Sequence, residues 1–286
     1  MNSDMDGVAK PLCLEGGARL RGVAKNLHSD AEPLVSIVTV VFNDVANLQR
    51  TIDSIASQTY QNIEHIVIDG GSTDGTLDII RKNPSIDYWV SERDSGIYDA
   101  MNKGIQYASG VWINFMNSGD IFFESTTVES VFFNAVMRES DLIYGDVEID
   151  YGGFKKIKKA GAISSLKAGM QFSHQSLFAR CSILKKSGFD LSYRTAADYN
   201  FIFLSWIRGC KFGGVNIVVS SISSGGVSDV KRLMSIQQRA KIIERAVGLS
   251  AVDRVIFIKE YLKVWAVDLV KKLLPSVWVS FLQKKK

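Results

Sequence analysis

Four short runs of β-branched and aromatic residues alternate along this chain with segments whose apolar residues recur at helical spacing. The runs are residues 35–42, 63–68, 88–90 and 111–116. Short apolar runs separated by helices are typical of parallel strands that are buried on both faces. The sequence therefore predicts an α/β fold in which a mostly parallel sheet is flanked by helices.

The pattern loosens after residue 120. We predict a helix over residues 126–137, strands near 141–149 and 154–158, a strand that contains His174, and a helix over 197–206. These elements would extend the same sheet.

Polar clusters follow the predicted strands at the points where they end. The clusters are Asn43-Asp44, residues 69–75 and residues 117–120. Because the carboxyl ends of parallel strands meet at one edge, we expect these clusters to line one cleft. Several carboxylates gathered there repel one another unless they hold a cation or a ligand. Asp74 is the exception, since its position favours a role as a helix cap.

Composition and charge narrow the class of protein. The chain has 286 residues, 46% of them hydrophobic and 22% charged, which is typical of a folded globular protein. Cys13, Cys181 and Cys210 are too widely spaced for a paired metal or redox motif. An odd number of widely spaced cysteines also favours a reducing compartment, so we expect a cytoplasmic protein. No run approaches the roughly 18 to 20 apolar residues that cross a bilayer.

The net charge of +4 conceals an asymmetry between the two parts of the chain. Residues 231–286 carry 13 Lys and Arg against 4 Asp and Glu, a balance of +9, so residues 1–230 carry −5. We expect a flexible leader over residues 1–33, a catalytic domain over 34–230 and a basic, amphipathic helical extension over 231–286. The extension either lies on the anionic inner face of a membrane or packs as a helical hairpin on the domain. Nucleic acid is not an expected partner.

Four segments in succession resemble the motifs of family 2 glycosyltransferases with a GT-A fold, and especially bacterial members that build exopolysaccharide or O-antigen units. The segments are VSIVTVVFN (35–43), IDGGSTDGT (68–76), SERDSGIYDAMNKG (91–104) and NFMNSGD (114–120). The resemblance covers residues 34–228. It implies an inverting transfer from a nucleotide-diphosphate sugar, with UDP favoured and GDP as the other option, to a hydroxyl of a lipid-linked glycan. It also implies Mg²⁺ or Mn²⁺ as the cofactor.

The resemblance implies which residues bind the donor. Val40, Phe42 and Asn43 correspond to the site of the nucleotide base, although Val40 and Phe42 equally suit core packing. Asp69, Gly71 and Ser72 correspond to the loop that holds the base and ribose. Asp94, Asn102 and Lys103 are the further donor-binding positions. The alternative for Lys103 is an exposed helical salt bridge with Asp99.

Two departures from the family pattern bear on this assignment. Gly70 stands where the common Asp-Asp-Gly-Ser motif has its second acidic residue, which leaves open the group that reads the base. Residues 117–120 read Asn-Ser-Gly-Asp where an Asp-x-Asp pair is usual. Only Asp120 and the amide of Asn117 then offer oxygen to a metal, which would depend on the diphosphate and water for its other ligands. The alternative is a capped turn without metal.

Asp198 is the predicted catalytic base, since it opens the helix where family members place an acidic pair. Ala197 replaces the usual first member of that pair. The alternative is that Asp198 only caps the helix. His174 and Gln175 resemble a segment on the acceptor side of the cleft.

Two functions from other classes stay open. One is a nucleotide-sugar-binding protein without transferase activity, because Gly70, Gly119 and Ala197 each replace an acidic residue. The other is a nucleotidyltransferase. Asn43-Asp44 stands where such an enzyme has a Gly-rich, basic triphosphate loop, which weakens that alternative.

Overall fold

A computed structural model describes residues 13–23, 25, 32–226 and 231–273. Its strands are β1 Leu14–Gly16, β2 Val35–Val41, β3 Ile63–Asp69, β4 Tyr88–Ser91, β5 Trp112–Phe115, β6 Ile121–Phe122, β7 Leu142–Asp150, β8 Lys155–Lys158, β9 Leu177–Arg180 and β10 Phe212–Ser223. Its α-helices are α1 Leu48–Ala56, α2 Thr76–Lys82, α3 Ile97–Tyr107, α4 Thr127–Phe132, α5 Cys181–Ser187, α6 Ala197–Ile207, α7 Arg232–Val247 and α8 Ala251–Leu273.

The strands form one mixed sheet in the order β1-β4-β3-β2-β5-β9-β7-β10-β6, and β8 pairs with β7. β2 to β5 are mutually parallel, as their apolar runs predict, and every residue of β2 and β3 is buried. Parallel register aligns Val41 with Asp69, and Asp69 with Ser91. The loops that follow β2, β3 and β4 therefore leave the sheet at the same edge. This architecture confirms the predicted fold class.

Helices cover both faces of the sheet. On one face α3 packs closely on β2, where a Cβ at Gly104 would overlap the side chain of Val38. On the other face Phe132 of α4 contacts the buried rings of Trp112 and Phe178. Because helices cover both faces, a polar ligand can reach the sheet at the edge where the parallel strands end.

The predicted flexible leader is wrong for the segment around β1. β1 pairs antiparallel with β4, and the Arg19 side chain binds the buried carboxylate of Glu64 and donates to the Tyr107 carbonyl at 2.8 Å. Without β1, β4 would be an edge strand with unpaired backbone groups, and β1 supplies their partners. Residues 1–12 lie outside the described part of the chain.

Two other local predictions also differ from the structure. His174 begins a 3₁₀ turn, His174–Ser176, and β9 follows it instead of including it. The helix predicted over 126–137 stops at Phe132, and a 3₁₀ turn, Ala135–Glu139, replaces its second half. Asn134 starts that turn because its side chain accepts the Val136 amide, which is the local bond that competes with a continuing helix.

The C-terminal helices form a hairpin against the domain. α7 buries Ile236, Ile242 and Ile243 in the same core cluster as α6, and α8 packs on α7 through Phe257 and Val264. Within the described residues no helix combines the length and the apolar run needed to cross a membrane. Residues 274–286, which include the terminal lysine triplet, lie outside those residues. The division at residue 231 stays a prediction.

Candidate active site

The loops after β2 and β3 are fastened to each other. Asn43 is the one non-glycine residue of the described chain with a positive φ, 48°. Its amide donates to Ser72 Oγ at 2.7 Å, and its Oδ1 accepts the Thr73 amide at 2.8 Å. Gly71, with φ 84°, completes the turn. These bonds hold Asn43, Gly71 and Ser72, three of the predicted donor-binding residues, in one surface at the sheet edge.

Asp69 lies beneath this surface and not on it. It is fully buried, and its carboxylate accepts the amide of Ser72 at 3.1 Å and the hydroxyl of Ser91 at 2.6 Å. Because its oxygens bind the protein's own donors, Asp69 shapes the loop, and its predicted contact with the donor stays a prediction. Val40 and Phe42, both predicted at the site of the base, differ in burial. Val40 is core, whereas Phe42 is 61% exposed.

Asn102 and Lys103, predicted as donor ligands, both make hydrogen bonds within the protein, and their contact with the donor stays a prediction. The Asn102 side chain donates to the Phe189 carbonyl at 2.9 Å and accepts the Phe189 amide at 2.7 Å, so both ends of its amide bind backbone. Lys103 Nζ donates to the Arg93 carbonyl and pairs with Glu92, both at 2.8 Å. Lys103 thereby holds the loop that carries Asp94. Its distance of 4.0 Å from Asp99 makes the helical salt bridge secondary.

Asp94 itself stays at the cleft. Its Oδ1 accepts the Gly96 amide at 2.9 Å. A Cβ at residue 70 would overlap its Oδ2, so the glycine at that position makes room for the carboxylate.

Asp198 is enclosed by donors from three elements. Its Oδ1 accepts the Tyr98 hydroxyl from α3 and the Tyr199 amide, each at 2.8 Å, and its Oδ2 lies 3.3 Å from His174 Nδ1. Burial raises the pKa of Asp198, but the bonds from His174, Tyr98 and Tyr199 outweigh it and hold the pKa below its ordinary value. The site therefore stabilises the carboxylate form. The side chain keeps 13% exposure.

His174 and Gln175 connect this carboxylate to the turn after β5. Asn117 Nδ2 lies 3.1 Å from His174 Nε2, and Gln175 Nε2 donates to Asp120 Oδ2 at 2.8 Å. Burial raises the pKa of Asp120, and the Gln175 bond opposes that shift. The residues predicted to act as the base, to line the acceptor side and to bind the metal therefore form one network. Gln175 is buried within it.

The turn after β5 offers little to a metal ion. In the described ranges no group of three or more His, Cys, Asp or Glu is arranged to hold one. Asn117 Oδ1, however, is buried without a hydrogen-bond partner in the structure. An orphaned carbonyl oxygen and one carboxylate on the same turn fit a hard cation that takes its other ligands from a diphosphate and water.

Sequence reasoning missed Tyr98. The residue lies in the 91–104 motif, but its buried aromatic ring reads as core, and the Asp198 that it contacts is 100 positions away. A tyrosine on an otherwise apolar helix face, whose hydroxyl needs a partner, is the signal that could have identified it.

Comparison with known proteins identifies the family. Residues 36–196 match the family described as "Glycosyl transferase family 2", and the chain belongs to it. It is 38% identical over 180 residues to an uncharacterized glycosyltransferase of Mycobacterium tuberculosis, an alignment that covers 59% of this chain and 68% of the relative. It is 36% identical over 179 residues to a PGL/p-HBAD biosynthesis glycosyltransferase of Mycobacterium bovis, covering 60% and 69%.

Solved structures share the fold at low sequence identity. Staphylococcus aureus TarS 1–349 in complex with UDP-GlcNAc matches with TM-score 0.59 at 17% identity, covering 80% of this chain and 71% of that one. In the longer TarS structure the chain covers 43% of the length. The Pyrobaculum calidifontis mannosyltransferase PcManGT in complex with GDP-Man and Mn²⁺ matches with TM-score 0.57 at 15% identity, covering 93% and 84%.

Proposed function

We propose that this glycosyltransferase transfers a sugar with inversion from a UDP-sugar, or alternatively a GDP-sugar, to a hydroxyl of a lipid-linked glycan in surface polysaccharide synthesis. The observation that carries the proposal is the buried, hydrogen-bonded carboxylate of Asp198, which His174 connects to Asn117 in the turn after β5. The nucleotide sugars bound by the structural neighbours and the biosynthetic name of the mycobacterial relative support the donor class and the pathway class.

Inversion requires the acceptor oxygen to attack the anomeric carbon from the side opposite the leaving nucleotide while a base takes its proton. A carboxylate has about four lone-pair directions, and three are occupied at Asp198. The remaining one accepts the acceptor proton. Tyr98 and His174 fix the orientation of the Asp198 carboxylate. Less entropy is then lost when the carboxylate is aligned with the acceptor hydroxyl.

Asn117 and Asp120 would hold Mg²⁺ or Mn²⁺. When bound, the ion would neutralise charge that builds up on the departing diphosphate. Asn43, Gly71 and Ser72 bind the nucleotide at the edge of β2 and β3, and Lys103 acts on it indirectly by holding the 92–95 loop.

The outer face of α8 supports a peripheral location on the inner membrane surface. Five apolar side chains along this face are each 41% to 58% exposed. They are Val255, Ile258, Leu262, Trp265 and Leu269. Lys259 and Lys263 are exposed beside them, whereas Glu260 turns inward to pair with Arg239. Apolar side chains with lysines beside them complement an anionic lipid surface.

Sedimentation with lipid vesicles tests this location. We expect the protein to bind vesicles that contain phosphatidylglycerol and to bind pure phosphatidylcholine weakly. Leu262→Ser with Trp265→Ser should weaken binding by more than about tenfold. Phe154→Ser is the control, because it removes an exposed aromatic ring from the turn between β7 and β8, outside α8. Equal binding by the double variant would refute the α8 surface.

A donor panel tests the catalytic proposal. Nucleotide release is measured from UDP-, GDP- and dTDP-sugars with Mn²⁺, with and without a membrane lipid extract. The proposal predicts release from one UDP- or GDP-sugar that depends on the extract. Tight donor binding without release from any donor would favour the sugar-binding protein, for which the single carboxylate of the 117–120 turn is the supporting observation.

A further inference from the structure

Gly70 and Asp94 form a complementary pair at the edge of the cleft. A Cβ at residue 70 would overlap Asp94 Oδ2 and lie 3.3 Å from Cδ2 of Phe42. A carboxylate and an aromatic ring therefore converge in the space that this glycine leaves empty. A larger residue at position 70 would have to displace one of them.

Asp94 has one oxygen engaged and one open. Oδ1 accepts the Gly96 amide, whereas in the described chain no donor is found for Oδ2. The other two acidic residues of the β3 loop are not in this state. Asp69 is fully buried, and Asp74 accepts the Val45 and Thr76 amides at 3.1 and 3.0 Å.

The 92–95 loop holds Asp94 in place before any ligand arrives. Lys103 fastens the loop through Glu92 and the Arg93 carbonyl, and the Asp99 carboxylate accepts the Ser95 amide at 2.9 Å. A group held in this way loses little conformational freedom on binding.

We propose that Asp94 reads the hydrogen-bonding edge of the donor nucleobase and selects bases whose ring nitrogen at that edge carries a proton. The proposal rests on the proposed function only in taking the ligand to be a nucleotide sugar. Phe42 stacks on the base, an interaction that any base can make. Asp94 adds the discrimination.

The chemistry of the two partners decides the sign of the selection. A carboxylate only accepts hydrogen bonds. Uracil and thymine present N3–H and guanine presents N1–H, so each can donate to Oδ2. Cytosine N3 and adenine N1 are acceptors, and their lone pairs would face the carboxylate. A site built around a hydrogen bond rejects the partner that cannot make it.

Calorimetric titration with UDP, GDP, CDP and ADP in Mg²⁺ tests the proposal without requiring turnover. The wild type should bind UDP and GDP about 10- to 100-fold more tightly than CDP and ADP. Asp94→Asn keeps the shape and an acceptor for Gly96, but it turns an amino group towards the base. We expect UDP affinity to fall about tenfold and CDP affinity to hold or rise, so that the preference disappears.

Gly70→Ala tests the same point with Asp94 left in the chain. Gly70 has a negative φ, so alanine is compatible with the backbone, and its Cβ should displace the Asp94 carboxylate. The UDP preference should again collapse. Asp78→Asn, on the exposed side of α2, is the matched control and should keep the preference. Thermal melts establish that each variant is folded.

The outcomes separate this inference from the proposed function. No preference in the wild type, or an equal loss of UDP and CDP in Asp94→Asn, would overturn the role of Asp94. A clear preference in a protein that transfers no sugar would refute the transferase and leave Asp94 as the base reader. Absence of all nucleotide binding would refute both.

Discussion

Tyr98→Phe should change the pH dependence of sugar transfer without removing activity. The Tyr98 hydroxyl is buried and donates to Asp198 Oδ1 at 2.8 Å. Burial and the neighbouring Asp198 charge raise the pKa of Tyr98 well above its usual value, so it is a neutral donor. A hydrogen bond to a charged group contributes about 1.5 to 3 kcal/mol, and one pH unit corresponds to about 1.4 kcal/mol. Loss of the hydroxyl should therefore raise the pKa of Asp198.

The direction of the shift in the pH profile follows from the role of Asp198 as a base. A base must be ionised, and in the wild type the pKa of Asp198 lies below its ordinary value. Protonation of Asp198 should not limit kcat/KM above about pH 5. In Tyr98→Phe the acid limb should move upward by about one to two pH units, with UDP affinity unchanged. Nucleotide release measured from pH 4.5 to 8 gives the profile.

The matched control is Tyr151→Phe, which removes a hydroxyl from an exposed ring in the turn between β7 and β8. It should leave the profile in place. An unshifted acid limb in Tyr98→Phe would refute the reasoning that this bond tunes Asp198. A uniform loss of activity at every pH would also refute it, since that result indicates misplacement of the carboxylate.

Three further predictions concern the frame around the site. Asn102→Ala removes two hydrogen bonds to Phe189 and should lower the free energy of unfolding by about 1 to 3 kcal/mol without weakening UDP binding; urea denaturation and calorimetry check both. Burial lowers the pKa of His65 to about 3, so the unfolded chain binds the extra proton between about pH 3 and 6.5. Stability should fall as pH drops through that window, by up to about 1.4 kcal/mol per pH unit, and His65→Gln should flatten the slope in urea denaturation at several pH values. Arg19→Ala leaves the Glu64 carboxylate without its cation and should cost about 1 to 3 kcal/mol, with faster proteolysis of the N-terminal segment as the measurement; unchanged cleavage would contradict it.

The central sheet could be predicted from the sequence because its signal is local. β2 and β3 are buried at every position, and apolar residues predominate in both. Strand ends in a parallel sheet share one edge, so the order of strands and loops along the chain is enough to bring Asn43, Ser72 and Asp94 together.

Contacts between distant positions could not be predicted in the same way. Asn102 looks like a polar ligand in a motif, and only the position of Phe189 shows that its amide is occupied. Lys103 has a carboxylate one helical turn away in sequence but binds a loop instead. β1 has only three residues, which is too short for a periodic pattern to show in the sequence. Backbone bonds to β4 and the Arg19 contact with Glu64 hold it in place.

The comparison of wild type with Asp198→Asn tests the central claim most directly. On the donor that the panel identifies, sugar transfer to the lipid acceptor and UDP or GDP affinity are measured for both proteins, with Asp78→Asn as the control. We predict that transfer falls by about 10²- to 10⁴-fold in Asp198→Asn while nucleotide affinity stays unchanged. Transfer at the wild-type rate in Asp198→Asn would contradict the account, because the base would then be another group.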